Sequence, residues 1–166
     1  MILKPLDSMY LECYRLCRNH DNIRLWCRQV GLISVEDHKE WFDRQRKDSS
    51  IRMFHMEVDG VFVGVCGLTS IDMISRRAEF SLYISPVEQG KGYSKPGLKA
   101  LLRFAFDELG LNLVWGETFD GNRALKIFKK LGFRIGGYRR EFYFKDGKFI
   151  GATLVSIKKE EVLWDG

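Results

Sequence analysis

The sequence predicts an α/β fold, a mixed twisted sheet of about seven strands flanked by about four helices. Three observations predict it. The chain has 166 residues, of which 45% are hydrophobic and 30% charged, as expected for one globular domain spanning residues 1–166. Two β-rich segments each contain an Asp-Gly pair typical of a hairpin turn, at residues 59–60 and 146–147. Between them, a strand–helix–strand unit around Leu82, Leu102 and Val114 requires two parallel strands.

The N-terminal third is predicted to hold one edge strand and two helices. Residues 2–6 (ILKPL) are expected to form a short strand that Pro5 closes, because proline cannot donate to a strand ladder. Residues 8–19 and 34–45 have the apolar spacing of helices. Ser34, with an acid three positions later, gives the second helix a capping-box-like start. Its predicted inner face carries His38, Trp41, Phe42 and Gln45.

The rest of the chain alternates between strand and helix patterns. Residues 51–71 form the first hairpin, and residues 76–84 alternate apolar and polar side chains as a third strand of the same sheet. The remaining segments are a helix with apolar residues from Leu98 to Leu109, a strand at 111–119, a helix at 122–131 and a second hairpin at 137–157.

A glycine pair lies between the third of these strands and its following helix. Gly90 and Gly92 leave the backbone bare just before a helix N-terminus, where unpaired amides carry a partial positive charge. Two interpretations remain open from the glycines alone: a tight turn without a ligand, or a site for phosphate or pyrophosphate. A dinucleotide fingerprint is excluded, because Lys95 stands where its third glycine is required, and the P-loop spacing is absent.

The segment Gln89-Gly90-Lys91-Gly92-Tyr93-Ser94 resembles the acetyl-CoA pyrophosphate loop of the GNAT N-acetyltransferase superfamily, Q/R-x-x-G-x-G/A. Ser94 departs from the usual Gly or Ala by only a hydroxymethyl group. The segments AEFSLYISPVEQGKGYS, LGLNLVWGETFDGN and NRALKIFKKLGFRIGGYRRE look like consecutive GNAT segments at matching separations. The chain is identified as a member of this superfamily over essentially its whole length.

This resemblance implies acetyl-CoA as cosubstrate and no metal. It implies that the sheet is splayed at its centre, beside the strand of residues 78–84, so that Leu82, Tyr83 and Ile84 neighbour the pantetheine arm. The turn amides from Gln89 to Ser94 would bind the pyrophosphate, and Asn122 would also face the cofactor. Each position falls at a strand carboxyl end or a helix amino end, where ligands of α/β sheets bind.

The reaction expected of the family is direct attack by an amine through a tetrahedral intermediate. It needs a base for the amine's proton and a donor for the developing oxyanion. Glu117 and Glu79 are the candidate bases, and either could instead be a surface carboxylate. Many family members carry a tyrosine acid in the later helix, but Phe128 occupies that position here. We therefore hypothesise that this helix supplies no acid.

The sequence says least about the acceptor, the amine that receives the acetyl group. LCRNHDNIRLWCRQVGLISVEDHKEWF resembles GNAT enzymes of pseudaminic-acid biosynthesis, which acetylate nucleotide-linked amino sugars, although ribosomal-protein acetyltransferases share much of the pattern. A nucleotide sugar needs cations for its diphosphate and aromatic rings for its base and sugar faces. Each candidate could instead be a packing or solvated residue. The candidates are Arg18, Asn19, Arg24, Trp26, His38, Trp41, Arg139 and Tyr143.

Three alternatives stay open for the function. The first is acetylation of a protein N-terminus, a polyamine or another small amine, although the basic stretch between residues 121 and 150 disfavours a polycation. The second is a non-catalytic acyl-CoA-binding module, which Phe128 keeps open. The third is nucleic-acid binding, which the sequence disfavours because its basic residues lack interleaved aromatics.

Composition indicates which cellular location and which kinds of partner to expect. The net charge of +5 suits a small anionic ligand better than nucleic acid. The sequence shows no membrane-length apolar run and no signal-peptide pattern, and its four cysteines show no disulfide spacing, so a cytoplasmic location is expected. Cys13, Cys17, His20 and Cys27 could be imagined as zinc ligands, but a packed helix face fits their spacing better. A homodimer is an open alternative to the monomer.

Overall fold

The computed structural model describes residues 1–164. Its centre is one seven-stranded sheet in the order β1-β2-β3-β4-β5-β7-β6. The strands are β1 (Ile2–Pro5), β2 (Arg52–Val58), β3 (Val61–Asp72), β4 (Arg77–Ile84), β5 (Leu113–Phe119), β6 (Arg134–Lys145) and β7 (Lys148–Ile157). The predicted mixed sheet of about seven strands is confirmed.

Five α-helices flank this sheet within residues 1–164. They are α1 (Leu11–Asn19), α2 (Asp21–Arg24), α3 (Val35–Gln45), α4 (Ser94–Arg103) and α5 (Ala124–Leu131). Four of them correspond to the predicted helices, and the short α2 was not predicted. The first predicted helix begins as a 3₁₀ turn at Ser8–Tyr10, and α4 continues as a π-helical turn over Phe104–Glu108. None of these helices is long and apolar enough to cross a membrane.

Both predicted hairpins are confirmed. Val58 pairs with Val61, so β2 and β3 are joined by the two residues Asp59 and Gly60, whose φ angles are 50° and 79°. The β6–β7 turn has the same form at Asp146 and Gly147, with φ angles of 49° and 78°. Two consecutive positive φ angles are typical of the hairpin turn whose twist matches that of the flanking strands.

Helix α4 packs tightly on the sheet. Leu98, Leu101 and Leu102 are each at most 1% exposed and belong to the main core cluster. A Cβ atom at Gly97 would lie 2.6 Å from the sulfur of Met56 on β2. This close approach fixes the start of α4 beside the carboxyl end of β4, where the glycine turn connects the two.

Candidate active site

The sheet opens between β4 and β5. These strands pair in parallel at only three positions, Arg77–Leu113, Ala78–Val114 and Glu79–Trp115. The β3 strand follows β4 further, to the pair Gly64–Ile84, so residues 80–84 remain bonded on one side. No pair with β5 is formed by residues 80–84 in the described chain. The expected central splay is therefore present, and it leaves strand backbone available to a ligand.

The glycine turn follows the open end of β4. Gly90 and Gly92 have φ angles of 83° and 87°, and a Cβ at either would have no atom within 4 Å. Glycine is therefore favoured at both positions by the positive φ angle, and not by a lack of space for a side chain. In the part of the chain that the structure describes, the amides of residues 90–93 donate to no other backbone group. The Gln89 side chain instead donates to the Ile84 carbonyl at 3.2 Å, which ties the turn to β4.

A cavity of about 460 Å³ lies at the opening. Its walls come from the two splayed strands, from α1 and α3, and from the loop of residues 25–34. Nine of the residues predicted for the site line it. They are Arg18, Trp26, His38, Trp41, Glu79, Leu82, Tyr83, Glu117 and Asn122.

Two buried carboxylates face each other across the opening. The side chains of Glu79 on β4 and Glu117 on β5 are 8% and 3% exposed. The Arg28 guanidinium bonds to Glu79, and its Nε lies 3.6 Å from Oε1 of Glu117. Burial raises the pKa of Glu79 above its ordinary value, and the Arg28 charge partly opposes this effect.

Glu117 has two further partners on β6. The Tyr143 hydroxyl donates to Oε1 of Glu117, and a guanidinium nitrogen of Arg139 lies 3.3 Å from its Oε2. Burial and this hydrogen bond both raise the pKa of Tyr143, so its hydroxyl keeps its proton at neutral pH. The second hairpin thereby places Arg139 and Tyr143 in contact with Glu117.

Three polar atoms lining the cavity are buried and make no hydrogen bond. They are Nδ1 of His38, Oε2 of Glu117 and Oγ1 of Thr118. Buried polar groups in folded proteins are nearly always hydrogen-bonded, so these three atoms are available to bond to a ligand. Burial lowers the pKa of His38, so its ring is neutral at pH 7.

Four predicted acceptor-binding residues do not line the cavity: Arg139 and Tyr143, which contact Glu117, and Asn19 and Arg24. The Asn19 side chain bonds to both the amide and the carbonyl of Ile33, which holds the loop before α3. Arg24 pairs with Asp21 on its own helix and with Asp146 in the β6–β7 turn. The side chains of Asn19 and Arg24 therefore make contacts within the fold, and neither lines the cavity.

Two residues at the start of and within α5 border the cavity. Asn122 lines the cavity, and its Oδ1 accepts from the amide of Ala124 at 2.9 Å, so it caps the start of α5. Phe128 also lines the cavity and is packed against Phe80, with 5.1 Å between ring centroids. It presents only hydrocarbon there.

Sequence reasoning missed Arg28 and Thr118. Arg28 belongs to a loop between two helices, and no spacing in the sequence relates it to Glu79, 51 positions away, or to the still more distant Glu117. Thr118 follows Glu117 on β5 and looked like an ordinary strand residue. The cysteines Cys13, Cys17, Cys27 and Cys66 are free thiols. Among residues 1–164, no group of three or more His, Cys, Asp or Glu side chains is placed to hold a metal ion.

A splayed sheet, free amides in a glycine turn and carboxylates at the gap define an acyl-CoA-dependent acetyltransferase. Residues 1–134 match the family described as acetyltransferase (GNAT) domain, and the chain belongs to that family. It is therefore an acyltransferase that uses acetyl-CoA, and the alternative of a non-catalytic module is not retained. In such a site acetyl-CoA supplies the activated acetyl group, and this chain's residues bind it and orient the amine.

Comparison with known proteins finds relatives among the acetyltransferases. The chain is 31% identical to spermidine N(1)-acetyltransferase of Escherichia coli K12 over 163 residues, covering 97% of this chain and 87% of that protein. It is 27% identical to acetyltransferase PseH of Campylobacter jejuni over 139 residues, covering 83% of this chain and 85% of that protein.

The fold is also that of a solved structure. Spermidine N-acetyltransferase from Vibrio cholerae in complex with CoA and spermine superposes with a TM-score of 0.91, covering 96% of both chains at 23% identity. Another structure of that enzyme is described as dodecameric. At this identity the similarity shows the fold alone.

Proposed function

We propose that this chain transfers the acetyl group of acetyl-CoA to the primary amine of a nucleotide-linked amino sugar. The observation that carries the proposal is the cavity lining. Unsatisfied atoms of His38, Glu117 and Thr118 suit an acceptor with several hydroxyl or amine groups. Trp26 and Trp41 offer aromatic faces for a sugar or base, and Arg18 offers a cation for a diphosphate.

The charge balance supports the same acceptor. Glu79 is ion-paired with Arg28, and Glu117 with Arg28 and Arg139. Arg18 adds another positive charge to the lining. The two acids that line the cavity are therefore already paired with arginines, which leaves no further negative charge in the lining for the additional cationic nitrogens of a polyamine.

We assign the cofactor to the open end of β4. The amides from Gln89 to Ser94 bind the pyrophosphate, because the turn leaves them free and the start of α4 adds a partial positive charge. Leu82, Tyr83 and Ile84 lie beside the pantetheine arm, which bonds to strand backbone in the gap. Asn122 borders the same gap from the start of α5.

We assign the base to Glu117, with Glu79 as the second contact of the amine. Glu117 lines the cavity, and its Oε2 is ion-paired with Arg139 but makes no hydrogen bond, so it can take a proton from the amine. Removing this proton exposes the nitrogen lone pair, which then attacks the thioester carbonyl directly.

Polyamine acetylation is the second candidate, because a relative with 31% identity is a spermidine acetyltransferase. Acetylation of a protein N-terminus or another small amine is the third. Acetyl-CoA-dependent thiol release separates the three when measured with UDP- and dTDP-linked 4-amino sugars, spermidine, spermine and unblocked peptides. We expect kcat/KM to be highest for a nucleotide sugar. Highest activity with spermidine would overturn the proposed acceptor while leaving the family unchanged.

Three wider expectations accompany this function. We propose that residues 1–166 act as one N-acetyltransferase domain and that the protein self-associates, since a structure with the same fold is described as dodecameric. Light scattering on the purified protein tests the second point. The cytoplasmic location stays a prediction.

A further inference from the structure

The Arg28 guanidinium spans the opening between the two splayed strands. It bonds to Glu79, the last β4 residue paired to β5, and approaches Glu117 two positions past the end of that pairing. We propose that Arg28 occupies the position of the acceptor's ammonium group, and that the incoming amine must displace it. This inference rests on the proposed function, which assigns both carboxylates to the amine.

Both carboxylates need a cation in this position. Their side chains are at most 8% exposed, and a buried carboxylate without a partner is costly. Within residues 1–164, Arg28 is the one ion-pair partner of Glu79. When the pocket holds no amine, the guanidinium compensates the two charges. An ammonium group carries the same charge and can form the same hydrogen bonds.

The guanidinium cannot remain there during the reaction. A carboxylate that is bonded to a guanidinium is a weakened base, because the positive charge stabilises its ionised form. Arginine also keeps its own proton under all physiological conditions, so it cannot relay one. An ammonium group in the same position can give its proton to the carboxylate, which a guanidinium cannot do.

The surroundings allow the Arg28 side chain to move while its backbone stays. The side chain is 53% exposed, so it can turn out into solvent. The preceding residue is held, because the buried Lys145 ammonium donates to the Cys27 carbonyl at 2.6 Å and to that of Arg24. Glu117 also keeps Arg139 and Tyr143 as partners after Arg28 leaves.

The test is to remove the internal cation and offer a free one. In Arg28→Ala, guanidinium chloride at low millimolar concentration should bind between the carboxylates and raise Tm in the presence of CoA. A rise of roughly 3 °C or more is expected once guanidinium exceeds its Kd about tenfold. The wild-type protein and Arg28→Lys should show no rise, because both keep their own cation.

Arg77→Ala is the matched control. Arg77 lies on the same strand as Glu79 and pairs with Asp72 outside the cavity, with its side chain 56% exposed. If guanidinium stabilised this variant equally, binding would be unspecific and the proposal would be overturned. If Arg28→Ala does not fold, Arg28→Met replaces it in the same measurement.

Kinetics provide the second readout. With any amine that the enzyme accepts, Arg28→Ala should lower KM for the amine by about tenfold, since about 1.4 kcal/mol of competition is removed. Guanidinium should then raise that KM again and leave KM for acetyl-CoA unchanged. A KM for the amine that rises in Arg28→Ala, and does not respond to guanidinium, would overturn the inference.

The two proposals can fail separately. The thermal measurement needs no acceptor, so stabilisation of Arg28→Ala by guanidinium supports the inference even if no nucleotide sugar is acetylated. In that case only the proposal of a nucleotide-sugar acceptor is overturned. Acetylation of a nucleotide sugar without any guanidinium effect would leave the proposed function intact and remove the role of Arg28.

Discussion

Glu117 combines burial, two β6 partners and an unbonded oxygen at a strand gap. We expect Glu117→Gln to lower kcat by roughly 10²–10⁴-fold, because the amide cannot accept the proton from the amine. Glu79→Gln should mainly raise KM for the amine. Steady-state kinetics with varied amine measure both, and calorimetry with CoA serves as the control, since neither variant touches the glycine turn. A larger kcat loss in Glu79→Gln would exchange the two roles.

Phe128 stands where many relatives of the family are expected to carry a tyrosine acid. We expect Phe128→Tyr to change kcat by no more than about twofold. A thiol with a pKa of about 8.5 is only weakly basic as its thiolate, so the thiolate leaves readily without a dedicated acid. Rates of thiol release between pH 6 and 8 test this. A many-fold increase at low pH would mean that thiolate protonation limits the wild-type enzyme.

His38 should make folding sensitive to acid. Burial first, then the charges of Arg18 and Arg15, lower the pKa of His38 below its ordinary 6.5, while Glu12 opposes them. A lowered folded-state pKa means that the unfolded chain binds the proton more readily. The stability contribution is therefore complete above pH 6.5 and is lost as the pH falls through the folded-state pKa.

His38→Gln should reduce this loss, because glutamine does not titrate. Urea unfolding at pH 7.5 and pH 5.5 gives the loss of unfolding free energy between the two pH values, for the wild-type protein and for His38→Gln. His55 is also buried with a lowered pKa, so part of the acid sensitivity should remain in the variant. An unchanged pH dependence would show that His38 does not contribute.

At the scale of elements, the β6–β7 hairpin holds the loop that carries Trp26 and Arg28. Lys145, at the end of β6, is 3% exposed and donates to the carbonyls of Arg24 and Cys27. Lys145→Met should cost about 2–3 kcal/mol of unfolding free energy, because two carbonyls lose a charged donor. It should also raise KM for the amine, since the loop is no longer fixed.

Lys148→Met is the control for this prediction, because Lys148 is exposed at the other side of the same turn. Urea unfolding of both variants gives the comparison. Equal and small losses of free energy would mean that the buried lysine does not fix the loop.

At the scale of the whole molecule, the sheet consists of two parts joined by the short β4–β5 ladder. Only three register pairs link these strands in the described chain. Saturating CoA should therefore bridge the two parts and stabilise the fold by about 2.7 kcal/mol at a concentration of one hundred times Kd. For a chain of this size, Tm should rise by roughly 5–10 °C.

Thermal melts with increasing CoA measure this effect, and hydrogen exchange should slow in residues 80–84 and 116–119. Gly92→Val serves as the control, because a β-branched residue is strained at a φ of 87° and would disturb the turn. The absence of a CoA-dependent shift in the wild-type protein would contradict the proposed cofactor position.

Local chemistry in the sequence determined most of the fold and the glycine turn that we assign to the cofactor. Asp-Gly pairs require positive φ and so fixed both hairpins, and period-two alternation in residues 76–84 identified β4. Gly90 and Gly92 indicated the turn, because a bare backbone before a helix is a local property that can be read without knowing the rest of the chain.

Tertiary structure decided the acceptor side. Arg28, Glu79 and Glu117 come from three distant segments, and only the folding of the loop against the splayed strands brings their charges together. In the folded chain Asn19 bonds to Ile33 and Arg24 pairs with Asp21, so neither side chain lines the cavity. Contacts between distant segments depend on packing geometry, which no local pattern of residues encodes. The sequence by itself therefore determined the glycine turn to which we assign acetyl-CoA, and the tertiary structure brought together the side chains that we assign to the amine.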